Sequence, residues 1–362
     1  MEMEEKIVPN HDVRVTVIMP VYNAVAWLDM SIGSVVAQTY ANWELIAVDD
    51  SSTDNSLQVL ENWAEKDARV RVFHKENGGP AKARAFGLKE STGDYVFYLD
   101  QDDAISEDMF QSCLAAIRAN GADAAMPNLI QRGDDGFSKD NFEAFAVDPD
   151  SVISGRDAFV RSIDWQGVWA YMLCRADVFK RFACDERYLF GKFNSDELIS
   201  RLAMLHCGKI AYCTAIYYYS LNPESMSKKL SPRMFGYLET NIHMIEATRQ
   251  FALPRSVVAK AEVHSFREMI ELWHRYLENK AKLSTGERND IERQFAEFHK
   301  ALPKANINEM LSGRPGITPQ LQRLLMLHDW PLCKMSLSVA WRIGKKNKLY
   351  PWFSEEQIKS LK

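Results

Sequence analysis

The sequence predicts an α/β chain: a doubly wound sheet over residues 1–230, followed by a separate helical domain over 231–362. Three observations carry that expectation. Strand-like and helix-like patterns alternate at a spacing of about 25 residues through the first hundred positions. Polar clusters sit at the ends of three of the predicted strands. Beyond Leu230 the strand signals give way to long helical patterns, with an aromatic-rich run from Phe266 to Tyr276.

In chain order, Val13 to Met19 reads as a short buried strand that Pro20 stops. Trp27, Leu28, Ile32, Val35 and Val36 recur at helical spacing. Trp43 to Val48 is a second strand, and Asp49 to Asp54 is a turn rich in helix-capping side chains, with Thr53 or Asp54 the candidate cap. Leu57, Leu60 and Trp63 mark the next helix, and Val70 to Phe73 a third strand. After the Gly78-Gly79 turn, Pro80 suits the first turn of a helix that runs to about Glu90. Tyr95 to Leu99 is the fourth strand, Gln131 to Asp150 reads as a polar surface excursion, and no internal repeat is visible.

Composition narrows the function. The chain of 362 residues is 46% apolar and 26% charged, enough for a sizeable core. A net charge of −5 offers no general attraction for nucleic acid. Six cysteines without a C-x-x-C pair point to neither a zinc site nor a disulfide framework, and to a reducing compartment. Residues Met1 to Asp12 are charged, and no apolar run reaches the roughly 18 residues of a membrane span, so a cytoplasmic protein is expected. G-x-G-x-x-G, G-x-x-x-x-G-K-[ST], H-E-x-x-H and G-x-S-x-G are all absent.

The first strand ends in Pro20-Val21-Tyr22-Asn23, the second in Asp49-Asp50-Ser51-Ser52, and the fourth in Asp100-Gln101-Asp102-Asp103. Carboxylates there are costly unless solvated, hydrogen-bonded or neutralised by a cation. Their mutual repulsion suits a hard divalent ion, magnesium or manganese, that fills its other positions with substrate phosphates. The competing reading makes them caps of a helix starting near Glu107. Arg84, with Lys82, is either a solvated helix face or a partner for phosphate or a base edge.

These residues resemble the family-two inverting glycosyltransferases of the GT-A fold. The blocks are Val17-Ile18-Met19-Pro20-Val21-Tyr22-Asn23, Ser34 to Tyr40, Glu44 to Asp54, Asn77 to Arg84, and Gly93 to Asp103. They stand in family order and spacing over residues 13 to about 110. The resemblance implies a GT-A-type doubly wound mixed sheet and a UDP-sugar donor. Pro20, Tyr22 and Asp50 would line the uracil and ribose pocket, and Arg84 would help hold the nucleotide. Asp100, with Gln101 beside it, would meet the donor, and Asp102 would bind manganese or magnesium. Ala85 departs from the asparagine usual after the arginine, and an arginine often found at Ser220 is missing.

Asn194-Ser195-Asp196-Glu197-Leu198 resembles the family's general-base motif, with serine where glutamate is usual, Asp196 as the base and Glu197 as the fallback; the competing reading makes Ser195 and Asp196 caps of a helix over Glu197 to Cys207. Trp169 and Tyr171 would stack on a sugar or pack in the core. Tyr217 to Tyr219, then Asn222 to Ser227, would form a late strand and a loop over the diphosphate. The acceptor implied is a glycan or lipid-linked glycan, in capsule, lipopolysaccharide or exopolysaccharide synthesis. The rivals are a sugar-phosphate nucleotidyltransferase and a non-catalytic glycan-binding scaffold. From Leu332 to Lys362, lysines and arginines interleave with Trp341, Leu349, Trp352 and Phe353. That segment is either an amphipathic helix docked on its own domain or a contact with the inner face of the cytoplasmic membrane. Homo-oligomer formation is left open.

Overall fold

The computed structural model describes residues 13–133, 135–182, 195–221, 232–312 and 327–347. They fall into two compact units, residues 1–225 and 226–362.

The first unit is built on a mixed sheet of ten strands. Its core half is β1 (Val15–Val21), β2 (Trp43–Asp49), β3 (Val70–His74) and β4 (Tyr95–Tyr98), all parallel, in the spatial order β3-β2-β1-β4. Strands β1 and β2 are buried along their whole length, so both read as apolar runs rather than alternations. The crossovers are α1 (Leu28–Val36), α2 (Ser56–Lys66) and α3 (Pro80–Glu90). Gly79 (φ 86°) takes a backbone conformation closed to most side chains, and Pro80 pre-sets the first turn of α3. Gly87 then lets α3 lie flat on the sheet, because a Cβ there would stand 2.7 Å from Ile18 Cγ2.

Strand β1 does not stop at Pro20. It continues to Val21, with Pro20 in register against Val48. Alternation turns the main chain of Val21 toward β2, where its carbonyl accepts from Asp50 N–H at 2.8 Å, and that of Pro20 toward β4. The β4 ladder ends at the pair Ile18–Tyr98, so the missing proline N–H costs no strand bond.

The second half comprises β5 (Ala104–Ile105), α4 (Met109–Asn120), β6 (Ala124–Arg132), β7 (Ser138–Asp140), α5 (Asn141–Phe145), β8 (Val152–Ser154), α6 (Gly155–Ser162), β9 (Leu173–Arg175), α7 (Ala176–Lys180), α8 (Ser195–His206) and β10 (Lys209–Ser220). The stretch read as a surface excursion thus holds β7, paired to β6, and the short helix α5, capped by Asp140. Strand β9 runs antiparallel to both β4 and β6, and β6 runs parallel to β10. The carboxyl ends of β1, β2, β4, β6 and β10 therefore all reach the same edge.

The second unit contains α9 (Tyr237–Gln250), α10 (Arg255–Asn279), α11 (Thr285–Ala301), α12 (Ala305–Ser312) and α13 (Trp330–Asn347). Helix α11 starts on a reciprocal capping box between Ser284 and Glu287. Trp273, Tyr276 and Phe295 are buried at its centre, and Trp330 stacks on Phe295 with ring planes 2° apart. Cys333 and Leu337 of α13 are buried while Met335 and Val339 are exposed, so this part of the basic segment docks on its own unit. Residues 348–362, with Trp352 and Phe353, lie outside the described residues. Among the described residues no helix is long and apolar enough to cross a membrane.

Candidate active site

The loops after β1 and β2 are fastened to each other. Asn23 (φ 51°) and Ser51 (φ 62°) both occupy the left-handed region, which is uncommon outside glycine and concentrates at functional turns. Asn23 N–H donates to Ser52 Oγ at 3.0 Å, and Thr53 N–H donates to Asn23 Oδ1 at 2.7 Å. Asp54 takes a turn role rather than a direct cap, accepting from Ser56 N–H at 2.9 Å; Asn55 holds the cap position of α2.

Asp49 is fully buried and pairs with His74 Nδ1 at 2.8 Å. Asp50 is 3% exposed and is wrapped by the segment after β3. Lys75 Nζ donates to Asp50 Oδ1 at 2.5 Å, Gly78 N–H to the same oxygen at 2.9 Å, and Gly79 N–H to Oδ2 at 2.7 Å. Asn77 Nδ2 donates to the Asp50 carbonyl at 3.0 Å. Lys75 was not among the residues singled out from the sequence, because nothing local links it to an aspartate 25 positions earlier.

At the end of β4 the four residues of the acidic cluster divide. Arg84, which could have been a solvated face, is buried and donates to Asp100 Oδ1 at 2.6 Å. Tyr171 Oη donates to Asp100 Oδ2 at 3.1 Å while its ring stacks on Tyr217, centroids 3.9 Å apart. Gln101 sits on the main chain of Tyr22, accepting from Tyr22 N–H at 2.7 Å. It therefore fixes the β1 loop, and Tyr22 itself is exposed. Asp102 is half-buried on the turn.

Asp103, given no role from sequence, is the most deeply held member. It is 1% exposed and accepts from Tyr217 Oη at 2.7 Å and from Ser220 N–H at 2.7 Å. Burial, then the neighbouring charges of Asp100 and Asp102, push its carboxyl well above the ordinary range. Burial likewise raises Tyr217, which stays protonated as donor to Asp103 and accepts from Asp100 N–H at 3.3 Å. None of the three aspartates caps α4: Asp108 stands at its cap position, its carboxylate accepting from the hydroxyls of Ser106 and Ser112.

Asp196 stands in the first turn of α8; its side chain lies outside the described residues. Glu197, one residue on, is paired at 3.4 Å with Arg201, a buried guanidinium that also bonds the Ser162 carbonyl and lies over Trp165. Trp169 proves to be core: it is 6% exposed, and its indole N–H donates to the Pro127 carbonyl at 2.9 Å. The loop Asn222 to Ser227 lies outside the described residues.

Among the described residues no three His, Cys, Asp or Glu side chains converge as a metal cage. What the turn offers a divalent ion is the carboxylate of Asp102. That donor set fits magnesium or manganese only where phosphate oxygens and water complete the shell.

Residues 16–182 match the model of Glycosyl transferase family 2. The uncharacterized glycosyltransferase EpsJ of Bacillus subtilis is 30% identical over 240 residues, covering 62% of this chain and 66% of that protein. An uncharacterized glycosyltransferase of Haemophilus influenzae is 46% identical over 101 residues, 28% of this chain and 40% of its own. Another, of Rickettsia felis, is 43% identical over 110 residues, 30% of this chain and 18% of its own. The chain thus spans less than two thirds of the length of these relatives. Among solved structures, Staphylococcus aureus TarS 1-349 superposes with a TM-score of 0.63 at 18% identity over 94% of both chains, which establishes a shared fold.

Proposed function

We propose, for a chain of glycosyltransferase family 2, the inverting transfer of a sugar from a UDP-sugar to a glycan hydroxyl. The observation that carries this reading is the single sheet edge on which Asp50, the Arg84–Asp100 pair and Asp102 meet. TarS, which shares the fold, has been solved with UDP-GlcNAc and with UDP.

On this reading Asp50, beside exposed Tyr22, receives the base. Asp100, clamped between Arg84 and Tyr171, faces the donor with a fixed carboxylate. Asp102 would hold manganese or magnesium, whose charge would neutralise the departing diphosphate. Asp196 takes the proton of the acceptor hydroxyl as that oxygen attacks the anomeric carbon from the side opposite UDP, leaving a β-linkage. The acceptor is a glycan or lipid-linked glycan, and the setting is surface-polysaccharide assembly. Incubation with manganese and a panel of UDP-sugars, read as UDP release, tests the assignment. Release from none of them, with or without glycan acceptors, refutes it.

We place the working position at the inner face of the cytoplasmic membrane, seated by exposed Met335, Val339 and Arg342 of α13. Sedimentation with anionic vesicles that is unchanged in the double variant Met335→Glu, Val339→Glu would remove that placement.

A further inference from the structure

The wrap around Asp50 contains more than a structural counter-ion. Uracil presents an acceptor, a donor and a second acceptor along its pairing edge: O4, N3–H and O2. Cytosine presents an amine donor where uracil has O4, and a bare ring nitrogen where uracil has N3–H. An acidic residue alone can accept from N3–H. A pocket that reads the whole edge also needs a donor beside that carboxylate.

Lys75 stands in that position. Its ammonium lies 2.5 Å from Asp50 Oδ1, and its side chain is 19% exposed where that of Asp50 is 4% exposed. An ammonium has three N–H donors. Asp50 Oδ1 takes one and the Glu76 carbonyl takes a second at 2.5 Å, which leaves one for a ligand. The absence of a side chain at Gly78 makes room for it: a Cβ there would stand 3.0 Å from Lys75 Nζ. Asp50 Oδ2 has Gly79 N–H as its bond at 2.7 Å and retains a lone pair for an imide. Donor and acceptor are thus held side by side at the ends of β2 and β3, next to Tyr22 at the end of β1.

We propose that Lys75 is a base-specificity residue that donates to a uracil carbonyl while Asp50 accepts from the imide, so that the pair selects uridine over cytidine nucleotides. This rests on the UDP-sugar reading above and extends it to a residue outside the family blocks. Cytosine would set its amine against the ammonium and its ring nitrogen against the carboxylate.

The test is calorimetric titration of the full-length protein with UDP and with CDP, both with manganese, so that diphosphate and ion are common and only the base differs. The wild type is expected to favour UDP. Lys75→Met keeps the aliphatic stem and removes the donor. It should weaken UDP about tenfold, the worth of one hydrogen bond to a charged group, while CDP binds no more weakly than before. Lys75→Arg, which keeps a cation beside Asp50, should stay within about threefold of wild type for UDP. Equal losses for both nucleotides in Lys75→Met would make Lys75 a structural counter-ion and overturn the proposal, as would no loss at all. Where Lys75→Met does not fold, Lys75→Gln is read by the same ratio. A wild type that binds UDP and CDP alike overturns the proposal alone, whereas a wild type that binds neither removes the UDP-sugar reading itself.

Discussion

Replacing Asp103 by asparagine should change the pH dependence of stability more than stability itself. Asparagine keeps the shape: its carbonyl can accept from Ser220 N–H, and its amide can donate to Tyr217 Oη, which then reverses its role. One reversed bond is an offset of about 1 kcal/mol. The titration is a separate matter. Asp103 is held above its ordinary pKa by burial and by Asp100 and Asp102, so between the unfolded and folded values the native state keeps a proton that the unfolded state has released. In that window wild-type stability falls as pH rises, by at most about 1.4 kcal/mol per pH unit. Below the unfolded value, near the ordinary aspartate range, the group contributes no slope; above the raised folded value the loss is complete. In Asp103→Asn the slope from this site is absent. Urea unfolding of both proteins from pH 4 to 8, with EDTA present and tryptophan fluorescence as the signal, should show the variant gaining on wild type as pH rises and then levelling off. A difference that stays flat across the range, or that shrinks with rising pH, would refute the assignment of a raised pKa to Asp103.

Asp102→Ala should abolish manganese-dependent UDP binding in calorimetry; equal affinity with and without the ion would show that Asp102 is not its ligand. Asp196→Asn should retain UDP-sugar binding and lose transfer by on the order of 10²-fold or more. Near-normal turnover in that variant, with loss in Glu197→Gln, would move the base to Glu197 despite its pairing with Arg201.

Where a local rule and the final environment agree, the sequence was readable. Helix α3 runs Pro80–Glu90 because proline and the preceding glycines act within a few residues, and the polar clusters after β1, β2 and β4 do fall at one edge of the sheet, as the strand order read from the sequence implied. The missed features depend on distant strands. Pro20 ends a strand only if its neighbour continues, and β4 does not continue. Asp103 gained its place from Tyr217 and Ser220, 114 and 117 positions away. Trp169 and Tyr171, two residues apart, point to different partners, Pro127 in the core and Asp100 at the edge. No periodicity could have separated them, since each outcome was fixed by what the antiparallel strand β9 brought alongside.

That one reversed strand has a further consequence. By lying antiparallel between β4 and β6, β9 lets two stretches of chain contribute to one rim while remaining separate in sequence. The groups assigned to the nucleotide and its ion, from Pro20 to Asp102, all come from the first stretch of chain. The remainder of the rim is formed by the ends of β6 and β10, both later in the chain. On the proposed reading, a lineage could exchange the second stretch and so change which hydroxyl is served, while the first goes on recognising the same activated sugar carrier.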